Sequence, residues 1–166
     1  MKDDPSVWVQ TALGVVAIAV SIAFFLLDRR TRSLGFAVLS NRAVISKPLP
    51  DLDVFYDGRT VDDPHLLVCR VANGGVSAID PSHYEQPISL HVHDARILSA
   101  EVTHSRPSSF RPRISQEGDR EAVLEKCLMN PKDMVEIQML VEGRPTSVDA
   151  QGRISGVSNI KRESLP

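Results

Sequence analysis

The sequence has little of several residues that mark well-known protein classes. Only two of its 166 residues are cysteine, Cys69 and Cys127, which is too few for a disulfide framework. Both lie in apolar runs, so we interpret them as reduced, buried thiols. The formal net charge is only −2 and there is no charged tail, so binding to nucleic acid is not expected.

Short catalytic and cofactor motifs are also missing. The chain has no G-x-S-x-G nucleophile elbow, no phosphate-binding G-x-x-x-x-G-K-[ST] and no dinucleotide-binding G-x-G-x-x-G. Paired carboxylates such as Asp62 and Asp63 stand in a turn, where solvation explains them. We therefore predict a protein that is not an enzyme and that needs no cofactor.

One long uncharged run is present near the N-terminus. Residues 7–27 read "VWVQTALGVVAIAVSIAFFLL", and a helix of that length would span roughly 30 Å, the thickness of a bilayer's hydrocarbon core. A buried core helix and a cleaved signal peptide fit less well, because the run is apolar on every face and lacks a basic leader. The run predicts a transmembrane helix that anchors the protein in the membrane.

The charges beside this run predict its orientation. Arginines at 29, 30 and 32 follow it, whereas the start of the chain reads "MKDD". The positive-inside rule then places the N-terminus outside and the rest in the cytoplasm of a bacterial inner membrane. The expected organisation is a flank at 1–6, a transmembrane helix at 7–27, a basic juxtamembrane linker at 28–33, a β-sandwich at 34–161 and a tail at 162–166.

Beyond the arginines the pattern is typical of strands. Apolar runs of five to eight residues alternate with turn sequences such as "YDGRT", "ANGG" and "NPKD". This spacing predicts an antiparallel sandwich. Only 119–129 also fits a helix, although the turns around it favour a strand. The predicted strands are 35–39, 42–46, 52–56, 65–72, 88–93, 95–103, 111–115, 122–129, 134–142 and 153–160.

Two histidines form the first candidate site. His91 and His93 share one face of a predicted strand, a spacing that can ligate a metal. No third ligand is evident, and Pro87 suggests an edge strand with a solvated face. We predict no metal site, with His91 and His93 as weak candidates.

A basic segment, "HSRPSSFRPR" at 104–113, forms the second candidate site. Arginines that gather around an anion bind phosphate, nucleotides or lipid headgroups, and an aromatic ring among them can stack on a base. The competing interpretation is a solvated loop whose arginines pair with Glu117 and Asp119. The candidate ligand-binding residues are His104, Arg106, Phe110, Arg111 and Arg113.

Three stretches together resemble a known group. "LLVCRVANGGVSAIDPSHYEQPISL", "LMNPKDMVEIQMLVEG" and "GRISGVSNI" are similar to segments of bacterial single-pass membrane-anchored proteins with a small cytosolic immunoglobulin-like β-sandwich. This chain departs from the pattern at Lys132, where Gly is usual, and at Tyr84, where Phe is usual. The group has no established activity, so the resemblance implies architecture and not chemistry.

These observations lead to three functional hypotheses. The first is a membrane-anchored, non-enzymatic binding module that recognises a protein partner or its own copies. The alternative is a ligand-gated membrane effector, similar in outline to bacterial defence effectors, whose β-domain binds a small anionic signal such as a nucleotide and clusters the membrane helices. A metal-dependent enzyme built on His91 and His93 is the third.

Overall fold

The computed structural model describes residues 14–22, 32–45 and 53–163. The chain divides into two compact units, Met1–Arg30 and Thr31–Pro166. In the first unit, residues 14–22 are helical, and the Ser21 hydroxyl donates to the Ala17 carbonyl oxygen at 2.8 Å.

The predicted transmembrane helix is wrong. In the described part of the chain, no helix is both long and apolar enough to cross a membrane. Only nine residues of the predicted 7–27 span are described as helix, and 7–13 and 23–27 lie outside the described residues. This finding also contradicts the single-pass topology and the resemblance to a membrane-anchored group, both of which depend on that span.

The second unit is mainly β. A short 3-10 helix, η1, covers Pro81–His83, where the Asp80 carboxylate caps the first turn. The strands are β1 (Leu34–Ala43), β2 (Phe55–Tyr56), β3 (Arg59–Thr60), β4 (Pro64–Asn73), β5 (Tyr84–Val92), β6 (Arg96–Arg106), β7 (Ile114–Glu117), β8 (Glu121–Leu124), β9 (Met134–Glu142), β10 (Val148–Ile154) and β11 (Ile160–Arg162).

The strands form two larger sheets in a β-sandwich-like arrangement. The five-stranded sheet has the order β11-β1-β4-β9-β6, and the four-stranded sheet has the order β10-β5-β8-β7. Buried and half-buried residues alternate along β4 and β9, as expected when one face of a sheet is covered. Side chains from both sheets, such as Leu67, Ile137, Leu90 and Leu124, form one hydrophobic core.

The topology is not that of a simple immunoglobulin domain. The order β1-β4-β9-β6 follows the usual A-B-E-D arrangement, but the β7–β8 hairpin is inserted between β6 and β9. In addition, β11 pairs in parallel with β1 within the five-stranded sheet. We therefore describe the domain as β-sandwich-like and do not retain the immunoglobulin-like assignment.

Most predicted strands overlap observed ones, with three differences. The predicted strands 35–39 and 42–46 are one strand, β1, with a bulge between Val38 and Ser40. The segment 119–129 is a strand only over Glu121–Leu124. The predicted strand 153–160 is wrong, because the chain turns at Ser155 and Gly156. The φ angle of Gly156 is +82°.

The end of the predicted juxtamembrane linker belongs to the sandwich. The Arg32 guanidinium donates to the carbonyl oxygens of Ala78 at 3.3 Å and Ser155 at 3.1 Å. Next to it, the Ser33 carbonyl oxygen accepts from the Gly74 N–H at 3.0 Å. Arg32 is therefore a structural residue of this unit, whereas Arg29 and Arg30 lie outside the described residues.

Candidate functional site: a polar cleft beside an aromatic hairpin

A short hairpin projects between β1 and β4. Its strands β2 and β3 pair Phe55 with Thr60 and Tyr56 with Arg59. The two turn residues, Asp57 and Gly58, have φ angles of +48° and +74°. This is the geometry of a type I′ turn, for which Asp-Gly is a preferred sequence because both positions need positive φ. The local sequence therefore determines the hairpin.

The hairpin exposes two aromatic side chains. Phe55 is 65% exposed and Tyr56 is 38% exposed, although large apolar side chains elsewhere in the described sandwich are mostly buried. Because side chains alternate across a strand, Phe55 and Tyr56 point to opposite faces of the hairpin. Tyr56 shares its face with Arg59, its direct partner in the register.

That face borders a cleft of about 270 Å³, which we call the hairpin cleft. The hairpin forms one wall, and the start of β6 and the β7–β8 turn form the other. Its chemically active lining residues are Tyr56, Asp57, Arg59, Arg96, Gln116 and Asp119. The cleft thus combines an aromatic ring with side chains that donate and side chains that accept hydrogen bonds.

Arg96 is held in place from behind. Its Nε and Nη2 donate to Glu142 Oε2 at 3.0 and 2.7 Å, while the Asp62 N–H donates to Glu142 Oε1 at 3.1 Å. The Asp62 N–H and then the Arg96 guanidinium hold the pKa of Glu142 below its ordinary value. Glu142 therefore fixes the guanidinium and leaves Arg96 Nη1 as a donor.

Gln116 is fixed in the same way. Its Nε2 donates to the carbonyl oxygens of Ile97 at 2.8 Å and Gly118 at 2.9 Å, so both amide hydrogens are used and Oε1 is left as an acceptor. The Ile97 N–H in turn donates to the Asp119 carbonyl oxygen at 2.7 Å. These bonds join β6 to the β7–β8 hairpin at the wall of the cleft.

The residues of the predicted basic site belong to different structural elements. His104 and Arg106 lie on β6 in the five-stranded sheet, whereas Arg111 and Arg113 precede β7 of the four-stranded sheet. Among the described residues, no hydrogen bond or ion pair joins any two of these side chains, and none holds an arginine against Glu117 or Asp119. Phe110 is half-buried and packs against the core, which removes it as an exposed stacking surface.

The histidine pair shares a face, as predicted. The rings of His91 and His93 meet edge to face with centroids 4.9 Å apart, and His93 Nε2 lies 2.8 Å from Asp149 Oδ2. However, β5 is flanked by β10 and β8, so the inference of an edge strand is wrong. No three His, Cys, Asp or Glu residues in the described ranges are placed to hold a metal ion.

Neither thiol is set up as a nucleophile. Burial raises the pKa of Cys69 to about 12, and burial is also the main reason that the pKa of Cys127 is raised to about 11. Both thiols are therefore protonated near neutral pH, and a thiol without a thiolate form is a poor nucleophile.

The sequence did not predict the hairpin cleft, because its residues come from separate segments of the chain. Tyr56 and Arg59 are about forty positions from Arg96 and sixty from Gln116 and Asp119 along the chain. The available signal was the pattern "FYDGRT", in which an Asp-Gly turn stands between two aromatic residues and a basic one. Such a turn outside the apolar strands predicts an exposed aromatic hairpin.

Comparisons with known proteins assign no family. No family model matches the sequence, and no curated protein matches it. Among solved structures, an exo-β-N-acetylglucosaminidase of family GH20 from Vibrio harveyi, in complex with N-acetylglucosamine, is 10% identical with a TM-score of 0.37 and covers 80% of this chain. A ligand-free archaeal chitinase is 9% identical with a TM-score of 0.33 and covers 69%. This chain spans 19% and 21% of their lengths, and similarities this weak support no inference.

Proposed function

We propose that this protein is a non-enzymatic binding module whose ligand site is the hairpin cleft. The observation that carries the proposal is the exposed Tyr56 beside polar groups already fixed by other residues. Arg96 is fixed by Glu142, and Gln116 by two carbonyl oxygens. Fixed groups bind with less loss of conformational entropy, which is what a binding site requires.

Neither cysteine is prepared to act as a nucleophile, which agrees with a binding role. Both described cysteines carry raised pKa values. The one close His–carboxylate pair in the four-stranded sheet, His93 with Asp149, is exposed to solvent and lies outside the cleft lining. A general base needs its substrate within hydrogen-bond reach, so this pair cannot act on a ligand held in the cleft.

A panel of small ligands tests the proposal. Thermal unfolding of the full chain is measured with neutral sugars, nucleotides, dicarboxylates, polyamines and uncharged dipeptides. A ligand at about 100 times its Kd adds about 2.7 kcal/mol to the free energy of unfolding, which raises Tm measurably. We expect at least one class to raise Tm in the wild type and not in Tyr56→Ala.

Phe55→Ala is the matched control, because it removes an aromatic ring from the other face of the same hairpin. It should leave the ligand-induced rise in Tm unchanged. If no class raises Tm, or if the rise persists in Tyr56→Ala, the hairpin cleft is not the binding site and the proposal fails.

A further inference from the structure

The charges of the hairpin cleft are nearly balanced. Its lining includes the guanidinium groups of Arg59 and Arg96 and the carboxylates of Asp57 and Asp119. Glu142 adds a further negative charge directly behind Arg96. The carboxylates disfavour an anionic ligand and Arg59 disfavours a cationic one, so the electrostatics select a ligand without net charge.

The polar groups of the cleft offer both kinds of hydrogen bond side by side. Arg96 Nη1 is a donor in a fixed position, while Gln116 Oε1 and the Asp119 carboxylate are acceptors. A hydroxyl group both donates and accepts at one oxygen atom. Neighbouring hydroxyls on a ring can therefore bond to an arginine and to a carboxylate at the same time.

Tyr56 supplies an aromatic surface on which a ligand can stack. Its ring lies at the rim and is 38% exposed, so one part of the ring is open to a ligand. An aromatic ring packs well against a flat apolar surface, and the C–H groups on one face of a pyranose ring form such a surface. A compound that combines this face with hydroxyls at its edge would suit Tyr56 together with Arg96, Gln116 and Asp119.

From this chemistry we propose that the hairpin cleft binds a neutral saccharide, an inference that rests on the proposed binding function. The ring of the sugar stacks on Tyr56, and its hydroxyls bond to Arg96, Gln116 and Asp119. The cleft volume of about 270 Å³ has room for one or two sugar units, so the rest of a longer glycan would extend into solvent.

The test is calorimetric titration of the full chain with maltose, cellobiose and lactose, with AMP and acetyl-alanyl-alanine amide as an anionic and an uncharged amide ligand. We expect at least one disaccharide to bind, and its Kd to change by less than about twofold when salt is raised, because a neutral ligand is not screened. Tyr56→Ala should weaken binding by about tenfold, while Tyr56→Phe should retain it.

The Asp119→Asn substitution tests whether the charge of this side chain, and not only its shape, contributes to saccharide affinity. It keeps the side-chain size but loses the charge-assisted hydrogen bond, so saccharide affinity should fall by about tenfold. Arg153→Ala is the control, because Arg153 pairs with Glu85 and is not part of the cleft. It should leave affinity unchanged.

Each of the other possible results contradicts the saccharide inference, the binding function or both. If AMP or the amide binds in a Tyr56-dependent manner and the disaccharides do not, the saccharide inference fails and the binding function stands. If the disaccharides bind equally to wild type and Tyr56→Ala, the cleft is not their site, and the inference fails. If none of these five compounds binds, the saccharide inference fails, while the binding function fails only if every ligand class of the thermal-unfolding panel also fails to raise Tm.

Discussion

The hairpin cleft and the basic segment at 104–113 show how differently two groups of polar and aromatic residues can be placed. The basic segment is contiguous in sequence, yet its arginine side chains make no hydrogen bond or ion pair among the described residues, and its half-buried Phe110 packs against the core. The cleft is assembled from three distant segments, and two of its polar side chains are fixed by hydrogen bonds. Residues that are neighbours in the sequence are therefore not joined by hydrogen bonds in the basic segment, whereas residues from distant segments are joined at the cleft.

The largest expected difference in stability is between variants of Phe110 and Phe55. Phe110→Ala should lower the free energy of unfolding by about 2 kcal/mol, because a half-buried ring leaves the core. Phe55→Ala should change it by less than about 0.5 kcal/mol, since the ring is 65% exposed. Chemical denaturation of both variants measures this directly. Equal effects would show that Phe110 is not a core residue.

Removing the Gln116 amide should have a smaller effect. Gln116→Ala loses the bonds to Ile97 and Gly118 that join β7 to β6, and it should lower the free energy of unfolding by about 1 kcal/mol. Arg111→Ala is the control in the basic segment and should stay within about 0.5 kcal/mol. A Gln116→Ala variant as stable as the wild type would mean that the cleft wall is not held by this side chain.

The Glu142 carboxylate predicts a pH dependence that the basic segment does not share. Because its folded-state pKa is lowered from 4.5, Glu142 stabilises the fold above that pH, and this contribution is lost as pH falls through the lowered value. Glu142→Gln should therefore be less stable than wild type at neutral pH, with the difference vanishing in acid. Thermal unfolding across pH measures it.

Glu117→Gln is the control for this titration, because its carboxylate makes no hydrogen bond within the described residues. At neutral pH its free energy of unfolding should stay within about 0.5 kcal/mol of the wild type. A stability difference for Glu142→Gln that persists unchanged into acid would contradict a role for the ionised carboxylate.

The smallest effect is expected from the basic segment itself. Replacing Arg106, Arg111 and Arg113 together by Glu should leave the affinity of the cleft ligand within about twofold, because an exposed segment outside the cleft acts only through screened charge. Calorimetric titration with the same disaccharides checks this. A large loss of affinity would show that the ligand contacts the basic segment after all.

Much of the β-fold could be predicted from the sequence because it depends on local physics. Apolar alternation located β4 and β9 to within about two residues, and the Asp-Gly turn at 57–58 has the positive φ angles that its residues favour. Lys132, in the predicted "NPKD" turn, likewise adopts a positive φ of +72°. The transmembrane prediction at 7–27 is wrong because it depended on hydropathy alone, and no helix in the described residues is both long and apolar enough to cross a membrane.

The sequence by itself determined that the domain is mainly β, where most of its turns lie, and that His91 and His93 share one face. These follow from the two-residue period of a strand and from backbone preferences that act over a few residues. Only the tertiary structure decided that β5 lies inside its sheet, that Phe110 packs against the core, and that Tyr56, Arg96 and Asp119 border one cleft. Those facts depend on which strands pair and how the two sheets pack, and such long-range choices leave no periodic trace in the sequence.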